Sequence, residues 1–230
     1  MKSPVVPHHY QGVWRRAFLT TPNLCDDRTL VLWMQTARWH ADLRVPVDRA
    51  DCSRCSSLAD CNRSQLLSLL KQEGFAGVTV VDGANCEWQR QLDYHPTGRP
   101  DCASMRFSHC CNTLDEYGIA EEYAERWERE LDSELSGLIA RSNFAEGRVL
   151  WLRSGKCFMM VRPRLMDVME TRAIWERTAA GQAVLEELRR LADFEISYGL
   201  IEADHGCILH STLPWREWQK IALPEVWTTD

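Results

Sequence analysis

Residues Trp33–Pro46 read WMQTARWHADLRVP. The apolar run LVLW ending at Trp33, a polar turn at Thr36-Ala37-Arg38 and the run HADLRV predict a β-hairpin. A counterpart, WLRSGKCFMMVRP, begins at Trp151, with its turn at Ser154-Gly155. In both stretches the Trp (Trp33, Trp151) is followed by an Arg at the same interval (Arg44, Arg162) and then by Pro. Other landmarks recur at nearly the same offset: Tyr123, Trp127 and Arg129 answer Tyr10, Trp14 and Arg16, Phe194 answers Phe75, and Glu202 answers Asp82. This slow drift predicts one β-rich unit used twice, over residues 1–118 and 119–230.

Each unit is expected to run strand, hairpin, loop, helix, strand, turn, strand. An extended lead-in covers residues 1–9, and Tyr10–Leu19 forms the first strand. Val13, Arg15, Ala17 and Leu19 lie on one face of it, and Trp14, Arg16 and Phe18 on the other. Polar, Cys-rich Pro46–Asn62 reads as a loop, and Asn62 caps a helix with a leucine stripe that ends near Gly74. Phe75–Val81 is a strand closed by the turn signal Asp82-Gly83. The next strand, Cys86–Tyr94, puts Trp88, Arg90, Leu92 and Tyr94 on one side and turns Glu87, Gln89, Gln91 and Asp93 to water. Ala103–Phe107 is one more strand. Thr113 and Glu116 read as a capping box opening a helix limited by Gly118. Glu121–Leu135 has helical composition, but the repeat places a strand at Trp127, opening the second unit. That unit continues with a long helix through Val184, Leu188 and Ala192, strands at 194–201 and 207–212, and a Trp-rich tail from Pro214. Short antiparallel strands with one helix per unit and no β-α-β alternation make the chain mainly β, with two tandem antiparallel barrels.

The formal net charge of -6 argues against nucleic acid or anionic membrane as partner. No apolar run approaches a membrane span and no secretory leader is visible, so a cytoplasmic location is expected. Ten Trp are many for 230 residues and suit a barrel wall or a lined cavity. The ten Cys are expected to be reduced thiols. Cys52, Cys55 and Cys61 include one C-x2-C pair, but Cys25, Cys86 and His109 are remote as a fourth ligand, so no metal and no cofactor are expected.

Tyr10-Gln11-Gly12-Val13-Trp14-Arg15-Arg16, the pairing of Trp33-Met34-Gln35 with Asp42-Leu43-Arg44, and Trp88-Gln89-Arg90 with Asp93 resemble the calycin-like proteins related to a small fungal protein of the HRI-one type. The resemblance spans nearly the whole chain. It implies two lipocalin-like barrels in tandem and brings no established activity; the Cys52-Cys55-Cys61 cluster lies outside its pattern.

Strand parity groups Trp14 with Arg16, Trp33 with Gln35, His40 with Asp42 and Arg44, and Trp88 with Arg90. Turned inward, these faces give an aromatic-walled interior with arginines that would favour an anionic, partly apolar ligand. Arg162 is kept in the second unit, where Phe158 and Met160 replace His40 and Asp42. Three readings stay open: a ligand-binding interior, an internal polar network that only fixes register, or a solvated face with Ala41, Leu43 and Val45 as the core. The leading expectation is a non-catalytic small-molecule-binding protein. The alternatives are a protein-interaction scaffold with filled barrels that uses the 46–62 loop and the tail, or an isomerase or hydrolase using His40, Asp42 or Asp93. Nucleophile elbows, phosphate loops, H-E-x-x-H and dinucleotide motifs are absent, and no catalytic residue is assigned.

Overall fold

A computed structural model describes residues 5–144 and 147–229; part of the expected lead-in lies outside them. The hairpin at Trp33 is present as β3 (Leu30–Gln35) and β4 (Trp39–Val45), with Trp33 opposite Asp42 and Gln35 opposite His40. It sits in an eight-stranded antiparallel barrel. β1 (Gly12–Thr21) pairs with β3, and β4 pairs with β5 (Glu73–Asp82). Then follow β6 (Asn85–Asp93), β7 (Cys102–Phe107), β8 (Thr113–Gly118) and β9 (Ala124–Arg129), which returns to β1. The three-residue β2 (Leu24–Asp26) extends β1 as a ribbon. Asn62 caps α1 (Arg63–Leu69) as expected, its side chain accepting from the Gln65 N–H at 2.9 Å.

Two expectations in this region need correction. β8 is a strand and not a helix: Leu114 and Glu116 turn inward and ladders form on both sides, so sheet pairing outweighs a local capping signal. The strand at Trp127 exists, but it does not open a second unit. It closes the first barrel, with Trp127 opposite Leu114 on one side and Arg16 on the other. The positional counterpart of β1 is instead β10 (Leu138–Phe144): Ala140 faces Trp151 as Trp14 faces Trp33.

The second sheet runs from β10 through β11 (Gly147–Ser154), β12 (Cys157–Arg162), β13 (Glu195–Glu202) and β14 (His205–Ser211) to the short β15 (Lys220–Ala222). It is curled but open, so the architecture is one closed barrel and one half-barrel. The single long helix expected here is two: α2 (Val168–Ala179), capped by Asp167, and the eight-residue α3 (Leu185–Ala192). In the tail, Pro214–Arg216 forms a 3-10 turn before β15 extends the sheet beside β14.

One device occurs in both sheets. The β5–β6 ladder skips Gln91 beside Gly77, and the β13–β14 ladder skips Leu209 beside Gly199. A Cβ on Gly77 would lie 2.0 Å from the Gln89 carbonyl oxygen, and one on Gly199 would lie 2.1 Å from that of Cys207. Only glycine fits at this bulge position. The first bulge reverses parity: Trp88 and Arg90 face the interior, but Leu92 and Tyr94 join the outer core and Asp93 turns toward Arg90. The expected common face for all four, and the water-facing Asp93, fail for that reason. β1 does the same at Ala17, so Leu19 and Thr21 take over the inward positions.

Both faces of β3 and β4 are buried. Leu32, Met34, Ala41 and Leu43 on the outside of the barrel pack against Leu150, Leu152, Met159 and Val161 of the half-barrel, with α1 and α3 completing that core. A separate core of Trp14, Trp33, Trp88, Trp127 and their neighbours fills the barrel. A third, around Trp151, Phe158, Met160 and Ile208, fills the half-barrel.

Candidate functional site

The lower barrel is packed solid. Trp14 stacks on Trp33 at 6.2 Å between ring centroids, its indole N–H donates to the Tyr10 carbonyl at 2.7 Å, and Arg129 lies 4.1 Å over its ring. Above Trp33 the side chains stop filling the lumen, because Trp88 and Trp127 meet it edge-on at 5.7 and 5.8 Å. What remains is a cavity of about 270 Å³ opening at the end of the barrel where β1 runs on past its pairing with β3. Its floor and walls are Trp33, Trp88, Trp127 and Phe75, and its rim is ionic.

Each arginine of this rim is already engaged. Arg44 donates to Asp42 at 2.8 Å; Arg16 bridges Asp26 at 2.6 Å and Glu125 at 2.9 Å. Arg90 lies flat on Phe75, 3.6 Å from the ring centroid, and holds Asp101 at 2.5 Å. Two arginines, Arg44 and Arg90, line the cavity against six carboxylic side chains, Asp42, Asp101, Glu116, Glu121, Glu122 and Glu125. Glu116 and Glu125 stand directly opposite each other on β8 and β9. The Tyr123 hydroxyl donates to Glu116 Oε1 at 2.8 Å and the Trp127 indole N–H to Oε2 at 2.9 Å. Burial, reinforced by the Glu125 charge, pushes the Glu116 carboxyl up to about 8. Burial also raises Glu125 and Asp42 against the pull of their arginines.

Of the residues singled out from the sequence, Trp33, Asp42, Arg44, Trp88 and Arg90 meet at this cavity. Trp14 supports it from below and Arg16 braces its rim. Gln35 and His40 lie deeper, in a chain through Thr79. The Thr79 hydroxyl donates to Gln35 Oε1 at 2.7 Å, so it must accept from His40 Nδ1 at 3.0 Å. That fixes the His40 tautomer, and burial lowers its basicity to about 3, leaving a neutral ring against Phe75. Arg162 is not part of the site: it sits on the half-barrel, bound to Asp193 at 2.7 Å and near Glu195 at 3.5 Å. His40, Asp42 and Asp93, the groups considered for catalysis, do not hydrogen-bond to one another. Asp42 goes to Arg44, and Asp93 to Arg90 and the His95 N–H.

Sequence reasoning missed Glu116, Tyr123, Glu125 and Trp127. A capping box hid the first, and the repeat alignment assigned the others to a second unit. The period-2 pattern Leu114-Asp115-Glu116 was the available signal.

No protein-family model matches this chain, and no curated protein matches it. A crystal structure of the uncharacterized protein YLR301w from Saccharomyces cerevisiae is similar to it, with a TM-score of 0.51 and 12% sequence identity over 87% of this chain and 84% of that one. The likeness is one of fold. No helix among the described residues is long and apolar enough to cross a membrane.

Proposed function

We propose that the chain is a calycin-like, cytoplasmic member of the tandem-barrel group related to the fungal HRI-one type, and that its closed barrel binds a small, partly apolar molecule in the mouth above Trp33. The observation that carries this reading is a lumen filled to the level of Trp33 and open above it, with aromatic walls and a polar rim. Its volume lies near the lower end of ligand pockets, about 300–1,000 Å³, which suits a metabolite-sized ligand.

The rim supports one reading of the ligand's charge. An anion needs an uncommitted guanidinium, and every arginine there is spent on a carboxylate. Aromatic faces beside a surplus of carboxyl groups, which a bound cation would draw toward their ionised form, suit a cation through cation–π attraction and charge-assisted hydrogen bonds. The reading therefore moves from an anionic ligand to a small organic ammonium. The Trp33 indole N–H, buried and without a hydrogen-bond partner, offers a donor to an acceptor on the same molecule.

Native mass spectrometry of the freshly purified chain tests for a co-purifying molecule. Titration with 2-phenylethylamine and with phenylacetate, read by tryptophan fluorescence, tests the charge. Binding of the amine alone is expected and should weaken in Glu125→Gln; equal binding of both probes, or of neither, removes the reading.

A further inference from the structure

The 46–62 loop carries no strand, and its only helical piece is a 3-10 turn at Leu58–Asp60. Three thiols organise it. Cys52 and Cys55 are joined by a tight turn, the Cys55 N–H donating to the Cys52 carbonyl at 2.9 Å, and Cys61 closes the 3-10 turn just before the Asn62 cap of α1. All three are buried, and their Sγ atoms lie within 4.8 Å of one another. A tetrahedral zinc with Zn–S bonds of about 2.3 Å holds its sulfurs about 3.8 Å apart. The thiols are thus close to the spacing that one ion imposes.

We propose that Cys52, Cys55 and Cys61 form a zinc site, the three sulfurs occupying three corners of a tetrahedron and the fourth facing the adjoining groove. The sequence offered only remote fourth ligands and led to the expectation of no metal; the fold brings the three thiols together without one among the described residues. No other described His, Cys, Asp or Glu joins the set. Cys52 and Cys55 line a groove with Arg49, Trp215 and Glu217, which gives a water or small exogenous donor access to the open position. Three protein ligands and one open position is the arrangement of zinc sites that accept an exogenous ligand.

Binding replaces three thiol protons, released to water, by one divalent ion, leaving a core with one net negative charge. Arg49 borders the same groove, held there by the Ser211 carbonyl at 2.7 Å and Glu217 at 2.9 Å. The set is purely soft-donor, which selects zinc over magnesium or calcium. Arg189 pins the same loop to α3 through the Leu58 and Ala59 carbonyls, so the ion would tie the barrel's loop to the half-barrel.

The test uses the full chain, expressed in zinc-supplemented medium and purified under reducing conditions, with metal counted by inductively coupled plasma and native mass spectrometry. One zinc per chain is expected, falling to near none in Cys61→Ser and Cys55→Ser and unchanged in Cys110→Ser, whose thiol is exposed elsewhere. Should the serine variants fail to fold, chelator-treated wild-type protein titrated with Co²⁺ should show thiolate charge-transfer bands and tetrahedral d–d bands that Zn²⁺ bleaches. Melting temperature should rise with zinc in the wild type. The proposal is overturned if reduced, chelated wild-type chain takes up neither ion. It is equally overturned by iron or copper in place of zinc, by a folded Cys61→Ser variant that keeps its full equivalent, or by a Cys–Cys disulfide in the freshly reduced protein.

Discussion

Replacing Glu116 by Gln should flatten the dependence of stability on pH. In the folded chain the Glu116 carboxyl keeps its proton to about pH 8, whereas its ordinary value is 4.5. Between those values the folded state holds a proton that the unfolded state has lost. Stability from this group is therefore full below about pH 4.5, falls through the interval, and levels off above 8. At about 1.4 kcal/mol per pH unit the whole interval is worth at most about 5 kcal/mol, and about 2–3 kcal/mol when the repulsion is shared with Glu125. Gln is sterically matched. Its carbonyl can accept from the Trp127 indole, and its amide can donate to the Tyr123 hydroxyl, which turns to accept. The assay is urea unfolding followed by tryptophan fluorescence at pH 5, 7 and 9, in wild type and variant. The variant should gain on the wild type by about 2–3 kcal/mol from pH 5 to pH 9, with unchanged m-value. Parallel stability curves would refute the argument, because they would mean that Glu116 is ionised in the folded barrel at neutral pH.

Three further outcomes are expected. Affinity for 2-phenylethylamine should rise with pH toward 8, because a bound cation favours the Glu116 carboxylate; up to tenfold per unit is the limit for one coupled proton, and a flat profile in isothermal titration would separate Glu116 from the ligand. Arg44→Ala should destabilise the chain by about 3–5 kcal/mol by stranding the buried Asp42 carboxylate, and Asp42→Asn in the same chain should recover part of it, as a double-mutant cycle in urea would show. Gly77→Ala should cost about 1–3 kcal/mol or more in the same assay, since the new methyl meets the Gln89 carbonyl; a neutral result would mean that the β6 bulge can relax.

The hairpin at Trp33 and its counterpart at Trp151 were legible because alternation and spacing report directly on strand pairing. Parity also placed His40, Asp42 and Arg44 on one face of β4, and in the fold that face looks into the lumen. The sequence left that face open between lumen and solvent because parity cannot distinguish a polar barrel interior from water when the opposite face, Ala41 and Leu43, is equally buried against the half-barrel. The bulges were not read, although Gly77 within a β-branched strand marks one, and each missed bulge transferred half a strand to the wrong face. Trp127 shows a different failure. Its match to Trp14 is sound in spacing, and the strand is real, yet pairing energy assigns it to whichever edge needs a neighbour. The open edge of β1 is the one that needs it.

That closing strand also explains why the two halves differ in what they can hold. Both sheets offer an equivalent outer face, and burying one against the other removes Leu32, Leu43, Leu152 and Val161 from water without using either lumen. The barrel then has β7, β8 and β9 left to complete its wall, and these strands bring Glu116, Glu125 and Trp127 to the mouth. The half-barrel has only β15 and the tail beyond it: Ile221, Leu223 and Trp227 fold over Phe158, Met160 and Ile208 and occupy the concave side themselves. A sheet closed by strands can leave its upper lumen empty, because the wall stands without contents. A sheet closed by its own side chains cannot, because removing the contents would expose an apolar face. Deleting residues 214–230 should therefore expose the half-barrel's core and not create a second pocket. Increased binding of a hydrophobic dye with loss of cooperative unfolding is the expected outcome, and a truncated chain that unfolds cooperatively at wild-type urea concentration would show that the tail is not part of that core.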